Sequence, residues 1–229
     1  MKLSIPKSEL KSFIGRQLNT FFPDKYKFSG RDINVAFELG LERTEWCFKH
    51  ITLESYFKDN QALFSHLHSD QYSQFLYFFS NSLFLESQNK PICDKLILLN
   101  KALNGMFYSY KGKLPDIFLL GHPVGTVIGN ANYSNFLVIF QNVTINTGDV
   151  DENGDPTPSI GKGVFLASGA KIIGNKPIGN RSSIGVNTLI FNREIPDDSI
   201  AYTKDDGSLF VEGRKKVCAA QRYFNVEIG

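Results

Sequence analysis

Hydrophobic residues follow two different periods along the chain, and the change falls near residue 105. Before that point apolar residues recur at steps of three and four, the spacing that places them on one face of an α-helix. Four such stretches cover residues 10–18, 37–51, 72–83 and 92–103. Pro91, just inside the start of the fourth stretch, and Gly105, just past its end, are typical helix boundaries. The pattern predicts a helical domain over residues 1–105 that serves in packing or oligomerisation.

In the second part of the chain a large aliphatic residue recurs at every sixth position. The unbroken series is Ile160, Leu166, Ile172, Ile178, Ile184 and Ile190. Neither a helix, with a period of about 3.6, nor a long strand, with a period of about 2, produces this spacing. A very short strand followed by a turn does produce it. Regular repetition of that unit is typical of a parallel β-solenoid.

We therefore assign residues 106–229 to a solenoid domain with two irregular parts. The polar segment 146–157 is rich in Asp and Gly and lacks the apolar residues of a solenoid interior, so we expect it to project as a loop. Residues 214–222 are rich in Lys and Arg and are expected to form a short basic helix. The predicted fold class is α+β, with helices first and parallel strands afterwards.

The charge balance and the cysteines exclude several classes of protein. The chain has 25 Lys and Arg against 23 Asp and Glu, so its net charge of +2 gives no reason to expect a nucleic-acid or membrane-surface partner. No signal-peptide pattern and no apolar run long enough to span a bilayer is present in the sequence. The three cysteines are far apart and lack metal-ligand spacing, which is typical of reduced thiols. We expect a soluble cytoplasmic protein.

Five segments of the second part carry a likeness to a known family. They are Leu-Pro-Asp-Ile-Phe (114–118), His-Pro-Val-Gly-Thr-Val-Ile-Gly (122–129), Phe-Gln-Asn-Val-Thr (140–144), Gly-Ala-Lys-Ile-Ile-Gly-Asn (169–175) and Ile-Gly-Val-Asn-Thr (184–188). Through these segments the chain resembles the hexapeptide-repeat acyltransferases, which have a left-handed β-helix. Within that family it is most similar to the serine O-acetyltransferases and their relatives in surface-polysaccharide gene clusters. The likeness covers residues 91–196.

The resemblance implies an acetyltransferase that works as a homotrimer or a larger assembly, with acetyl-CoA as co-substrate and a small-molecule acceptor. The family's catalytic histidine corresponds to His122, which would take the proton of the acceptor hydroxyl. An imidazole suits that task because its reference pKa of about 6.5 lies near neutral pH. The family's contacts to the pantetheine arm of CoA correspond to Thr147, Ser168 and Val186. We expect Gly169 and Lys171 to join this cofactor-binding set.

Several acceptor-side positions depart from the serine O-acetyltransferase pattern. The aspartate that pairs with the histidine in that family aligns with Phe107, and the acidic residue before the histidine becomes Gly121. The Arg-His pair that binds the serine carboxylate becomes Pro156 and Thr157. Because a carboxylate substrate favours a cation opposite it, we expect a different acceptor, a sugar or nucleotide-sugar of surface-polysaccharide synthesis. Transfer to oxygen is expected, and transfer to nitrogen is an alternative.

Two further functions stay open at this stage. One is serine O-acetyltransferase activity in cysteine biosynthesis, and the other is a non-catalytic solenoid scaffold. If the chain is an enzyme, some group must orient the imidazole, since loss of that group costs orders of magnitude in rate. Asp116, Asp155 and a backbone carbonyl are the candidates. Asn142 and Thr157 are candidate acceptor contacts, although Asn142 fits an internal role in the solenoid backbone equally well.

No metal site is expected. His66 and His68 form a His-x-His pair with Asp70 nearby, but two histidines are a weak metal signal, and we assign them surface or capping roles. The Asp-rich segment 149–155 resembles the opening of a calcium-binding EF-hand loop. Its twelfth position, however, is Ile160 where such a loop requires Glu.

Overall fold

Four α-helices occupy most of the chain before residue 105 in the computed structural model, which describes residues 1–145 and 150–229. They are α1 (Lys7–Phe21), α2 (Arg31–Phe48), α3 (Ser69–Ser87) and α4 (Lys90–Asn104). Each overlaps one of the stretches predicted from the apolar spacing. Pro91 lies in the first turn of α4, and Gly105 ends that helix with a φ of 64°. A positive φ is the conformation that glycine adopts without strain, so the predicted boundary is confirmed.

Helix α3 is the centre of the helical part because it is buried over most of its length, from Asp70 to Leu83. It packs closely against α2, where Gly40 leaves room for Phe79; a Cβ atom on Gly40 would lie 3.0 Å from the Phe79 Cα atom. The Phe37 ring meets the Phe75 and Phe79 rings edge to face, with centroids 5.9 and 5.8 Å apart. The aromatic residues of this part therefore form its core.

A small three-stranded sheet in the helical part was not predicted. Its strands are β1 (Lys2–Leu3), β2 (Phe57–Lys58) and β3 (Gln61–Phe64), in the order β1-β3-β2. Strands of two to four residues are too short to show alternation in a sequence.

From Phe107 onward the chain winds into a parallel solenoid with three faces. The first face contains β5 (Phe118–Gly121), β8 (Leu137–Phe140), β11 (Phe165–Leu166), β13 (Ser183–Ile184) and β15 (Ser199–Thr203). The second contains β4 (Phe107–Tyr108), β6 (Val127–Ile128), β9 (Thr144–Ile145), β12 (Lys171–Ile173) and β14 (Leu189–Phe191). The third contains β7 (Asn132–Tyr133) and β10 (Ser159–Ile160), continued by bridges at Ile178 and Ile195.

The period of six is confirmed as the step from one face to the next. Ile172 pairs with Ile190 on the second face, Leu166 with Ile184 on the first, and Ile160 with Ile178 on the third. Three steps of six therefore complete one coil. All six members of the series are at most 1% exposed, so they stack as three aliphatic columns inside the solenoid.

The end of the chain differs from the prediction. The solenoid continues past residue 196, because β15 joins the first face and then pairs antiparallel with β16 (Leu209–Gly213). The expected basic helix is reduced to a 3₁₀ helix, Ala219–Tyr223. Arg214 lies before it and, together with Arg181, bonds the carboxylate of Asp198. Hydrogen bonds from both guanidinium groups hold the pKa of Asp198 well below its usual range.

The last residues connect the solenoid to the helical part. Phe224 forms an antiparallel bridge with Ile51, just past α2, and the Asn225 amide donates to the His50 carbonyl oxygen at 3.0 Å. Ile228 is buried against the solenoid at Gly163. None of the helices in the ranges 1–145 and 150–229 is long and apolar enough to cross a bilayer.

The segment predicted to project as a loop is described only from residue 150 onward. Val150 and Pro156 form a bridge, and between them the Asp151 carboxylate accepts the backbone amides of Asn153 and Asp155 at 2.8 and 2.9 Å. These bonds make a compact turn between the second and third faces.

Glycine at position 179 is required by the distance between coils. A Cβ atom there would lie 2.5 Å from the backbone carbonyl carbon of Pro196 on the next coil. Overpacking against backbone costs about 1–3 kcal/mol, so we expect Gly179→Ala to lower the free energy of unfolding by that amount. Urea denaturation followed by circular dichroism measures it. Gly213→Ala is the control, since a Cβ atom at Gly213 meets no atom within 4 Å; equal stability of the two variants would contradict the prediction.

Candidate functional site

One corner of the solenoid, between the first and second faces, gathers half of the predicted site residues. The strand register places Gly121 beside Phe140, Val138 beside Phe165, and Phe165 beside Ser183. The turns that follow these strands are therefore stacked. We call them the corner column, and its members are His122–Gly125, Gln141–Asn142, Ser168–Gly169 and Val186–Asn187.

Backbone hydrogen bonds hold the corner column together. The Asn142 amide donates to the Val124 carbonyl oxygen, the Gly169 amide to that of Gln141, and the Asn187 amide to that of Ser168, each at 2.9 Å. Neighbouring strands lie about 4.8 Å apart. Ser168 thus lies about 10 Å, and Val186 about 14 Å, along the column from the His122 turn.

Asparagine and glycine alternate along the corner column for a steric reason. Gly125, Asn142, Gly169 and Asn187 all have positive φ, between 53° and 73°, where most residues are strained. A Cβ atom on Gly125 would collide with the side-chain oxygen of Asn142, and one on Gly169 with that of Asn187. Asn142 therefore shapes the turn, which is one of the two roles open to it. Its contact with an acceptor stays a prediction.

His122 begins the column and presents its side chain to solvent. The imidazole is 80% exposed, whereas the residue's backbone is held in a positive-φ conformation of 49°. Its backbone amide donates to the Asp70 Oδ2 atom at 3.0 Å. The imidazole Nδ1 atom lies 3.3 Å from the same oxygen. The other ring nitrogen, Nε2, has no hydrogen-bond partner among residues 1–145 and 150–229.

The carboxylate beside His122 is therefore Asp70, not Asp116 or Asp155. Asp116 lies before β5 and His122 after it, so a strand of about 13 Å separates them. Asp116 instead lines a cavity of about 350 Å³ with Arg43. Asp155 belongs to the turn between the second and third faces. Sequence reasoning missed Asp70 as the partner of His122 because the two residues are 52 positions apart and share no sequence pattern.

The predicted cofactor-binding residues fall largely on the corner column. Ser168, Gly169 and Val186 are members of it, and Val186 is exposed. Lys171 follows on β12, and its ammonium group donates to the Gly169 carbonyl oxygen at 3.1 Å. Thr147 lies outside the described residues.

The predicted acceptor residue Thr157 lies away from the corner column, where the third face begins. Its hydroxyl is buried and has no hydrogen-bond partner among residues 1–145 and 150–229.

The weak metal signals gain no support from the geometry. Within the ranges that the structure describes, no three His, Cys, Asp or Glu side chains are grouped closely enough to hold a metal ion. The His66 ring bonds the Ser4 hydroxyl at 2.8 Å, and His68 occupies the N-cap position of α3 without a capping bond from its side chain.

A solenoid with a period of six and a helical part before it give this chain a left-handed β-helix fold, the fold of the serine acetyltransferases that it is similar to. In fold the chain is similar to the serine acetyltransferase of Vibrio cholerae, with a TM-score of 0.70, 20% identity, and coverage of 93% of this chain and 81% of that one. A serine acetyltransferase solved in complex with CoA gives a TM-score of 0.66 and 19% identity, and covers 89% of this chain and 83% of that one.

Comparison of the sequence with curated proteins also finds serine acetyltransferases. The chain is 29% identical over 116 residues to the serine acetyltransferase of Synechococcus elongatus, covering 50% of this chain and 47% of the relative. It is 33% identical over 101 residues to that of Bacillus subtilis, covering 44% and 45%. The match thus spans somewhat less than half the length of these curated relatives. No family model matches the chain.

Proposed function

We propose that this protein transfers an acetyl group from acetyl-CoA to the hydroxyl of a small polar acceptor, with His122 as the general base. The observation that carries the proposal is the imidazole of His122, exposed at the end of the corner column while its backbone is fixed. A fixed backbone limits the positions from which the exposed ring can meet a substrate. The relatives named serine acetyltransferase support the same chemistry.

The reaction needs one proton moved at the right moment. Acetyl-CoA supplies a thioester whose carbonyl carbon accepts the acceptor oxygen and whose sulfur leaves. His122 takes the hydroxyl proton at Nε2 as the new C–O bond forms, and then gives it to the departing sulfur. Such positioned proton transfer contributes typically 10²- to 10⁴-fold to the rate.

The corner column fits an extended co-substrate. Its turns lie in one line from His122, and the exposed Val186 lies at the far end from the proposed base. Glycine at position 169 leaves room for the Asn187 side-chain oxygen, which lets the two turns stack closely. In this proposal Ser168, Gly169 and Val186 hold the pantetheine arm. Lys171 supplies a positive charge beside it, and Thr147 is assigned to the same set by resemblance.

L-Serine is the first acceptor to consider, because the curated relatives and the similar solved structures are both named serine acetyltransferases. A sugar or nucleotide-sugar is the second. It is favoured by Pro156 and Thr157, which offer no cation to a carboxylate where serine O-acetyltransferases have an Arg-His pair. Asn142 and Thr157 remain the proposed acceptor contacts.

The proposal extends to the assembly. Phe107, Leu189 and Phe191 expose apolar side chains on β4 and β14 of the second face, and Val124 does so on the adjoining corner. Exposed apolar patches of this kind mark association surfaces. We propose that they meet neighbouring copies in a homotrimer, with residues 1–105 as a helical domain and 106–229 as the β-helix domain.

We also propose that the protein is located in the cytoplasm. Its three cysteines are buried and unpaired, which suits the reducing conditions there.

Replacement of the proposed base should abolish most of the activity. We expect His122→Asn to lower kcat by about 10²- to 10⁴-fold, because the proton acceptor is lost while asparagine tolerates the positive φ at this position. Release of the CoA thiol is measured with L-serine and with a panel of nucleotide-sugars. His66→Asn is the control. Thiol release unchanged in His122→Asn would contradict the proposal, and the acceptor that supports turnover decides between serine and a sugar.

A negative charge on the corner column should weaken the use of acetyl-CoA selectively. Val186 is 63% exposed, so Val186→Glu is expected to fold normally and to repel the phosphates of CoA. The KM for acetyl-CoA should rise about tenfold, equivalent to ~1.4 kcal/mol, while the KM for the acceptor stays constant. Val217→Glu is the matched control, because Val217 is 73% exposed and lies outside the column. The same KM in both variants would remove Val186 from the binding path.

A further inference from the structure

We propose that Asp70, which the helical part supplies from the first turn of α3, is the positioning residue for the imidazole of His122. This inference rests on the proposed function, in which His122 is the base. It answers the question that the sequence leaves open, namely which group orients the ring once Phe107 occupies the position of the family's aspartate.

The geometry ties both the backbone and the ring of His122 to one carboxylate oxygen. Asp70 Oδ2 accepts the His122 backbone amide at 3.0 Å and lies 3.3 Å from the ring Nδ1 atom. The second distance is slightly longer than a normal hydrogen bond, as is common in active sites before substrate binds. An acceptor at Nδ1 favours the ring tautomer with hydrogen on that nitrogen. Nε2 is then free to take a proton.

The carboxylate itself is held firmly. The Asp70 side chain is 6% exposed, and its other oxygen, Oδ1, accepts the Ser69 hydroxyl at 3.0 Å. The N-terminus of a helix favours a negative charge, because the backbone amides of the first turn point toward it. The nearby hydroxyl of Tyr56 does not compete as a charged group: burial first, and the charge of Asp70 second, raise the pKa of Tyr56.

Helix α3 also holds the strand that leads to His122. Gln74 donates to the Phe118 carbonyl oxygen at 2.8 Å, and the Tyr77 hydroxyl accepts the Leu114 amide at 2.8 Å. Successive residues of α3 thus contact successively earlier residues of the segment that ends at His122. Asp70 is the last contact of this series and the one that reaches the site.

A competing role for Asp70 is direct binding of the acceptor. The two roles differ in what they predict. A positioning residue acts through the ring during proton transfer and therefore affects kcat, whereas an acceptor-binding residue affects KM first.

The test compares Asp70→Asn and Asp70→Ala with the intact chain. Asparagine keeps the shape and one acceptor oxygen but removes the charge that stabilises the protonated ring, so kcat should fall at least about tenfold. Alanine removes the acceptor as well, and kcat should fall about 10²-fold or more. The acceptor KM should change less than about twofold in both. Asp32→Asn is the control, because Asp32 is also in the first turn of a helix and bonds Asn89, away from His122.

A second readout does not depend on activity. In protein labelled with ¹⁵N-histidine, two-bond ¹H–¹⁵N spectra report which ring nitrogen carries the hydrogen, and His122→Asn assigns the signal among the four histidines. Neutral His122 should carry it on Nδ1 in the intact chain and lose that preference in Asp70→Ala. The proposal is overturned if the intact chain shows hydrogen on Nε2, or if both variants raise the acceptor KM and leave kcat unchanged. Absence of turnover with every acceptor, together with the Nδ1 tautomer, would reject the proposed function and keep the Asp70–His122 link.

Discussion

The stacking of parallel coils is the constraint on which the rest of this structure depends. Each coil presents one large aliphatic residue to the interior on each face, and these residues meet their counterparts on the next coil in exact register, as Ile172 meets Ile190. A slip of one residue would turn every inward side chain outward. The register of the interior therefore also fixes the register of the corners.

The corner column is a product of that register. His122, Ser168 and Val186 are distant in sequence, yet each follows a strand of the first face, so they are stacked in one line. The alternation of Asn142 and Asn187 with Gly125 and Gly169 keeps the turns tight enough to stack.

The helical part forms its own core and also holds the segment of the solenoid that ends at His122. Helix α3 runs along the segment from Leu114 to His122 and bonds it at three points, through Tyr77, Gln74 and Asp70. The tail returns to the end of α2 through Phe224 and Asn225. The exposed histidine is thus fixed by two parts of the chain that show entirely different periodicities.

The sequence by itself determined the elements that depend on local or repeating spacing. The four helices, the boundary at Gly105 and the solenoid with its period of six all follow from residues a few positions apart or from a repeat. The choice of His122 comes from the resemblance of its segment to a known family and stays a prediction. Tertiary structure alone decided the rest. The short strands β1 to β3 are too brief to show a pattern. Arg214 binds Asp198 across the solenoid, and Asp70, in place of Asp116 or Asp155, reaches His122. A contact across 52 residues depends on how α3 packs against β5, and no local spacing encodes that packing.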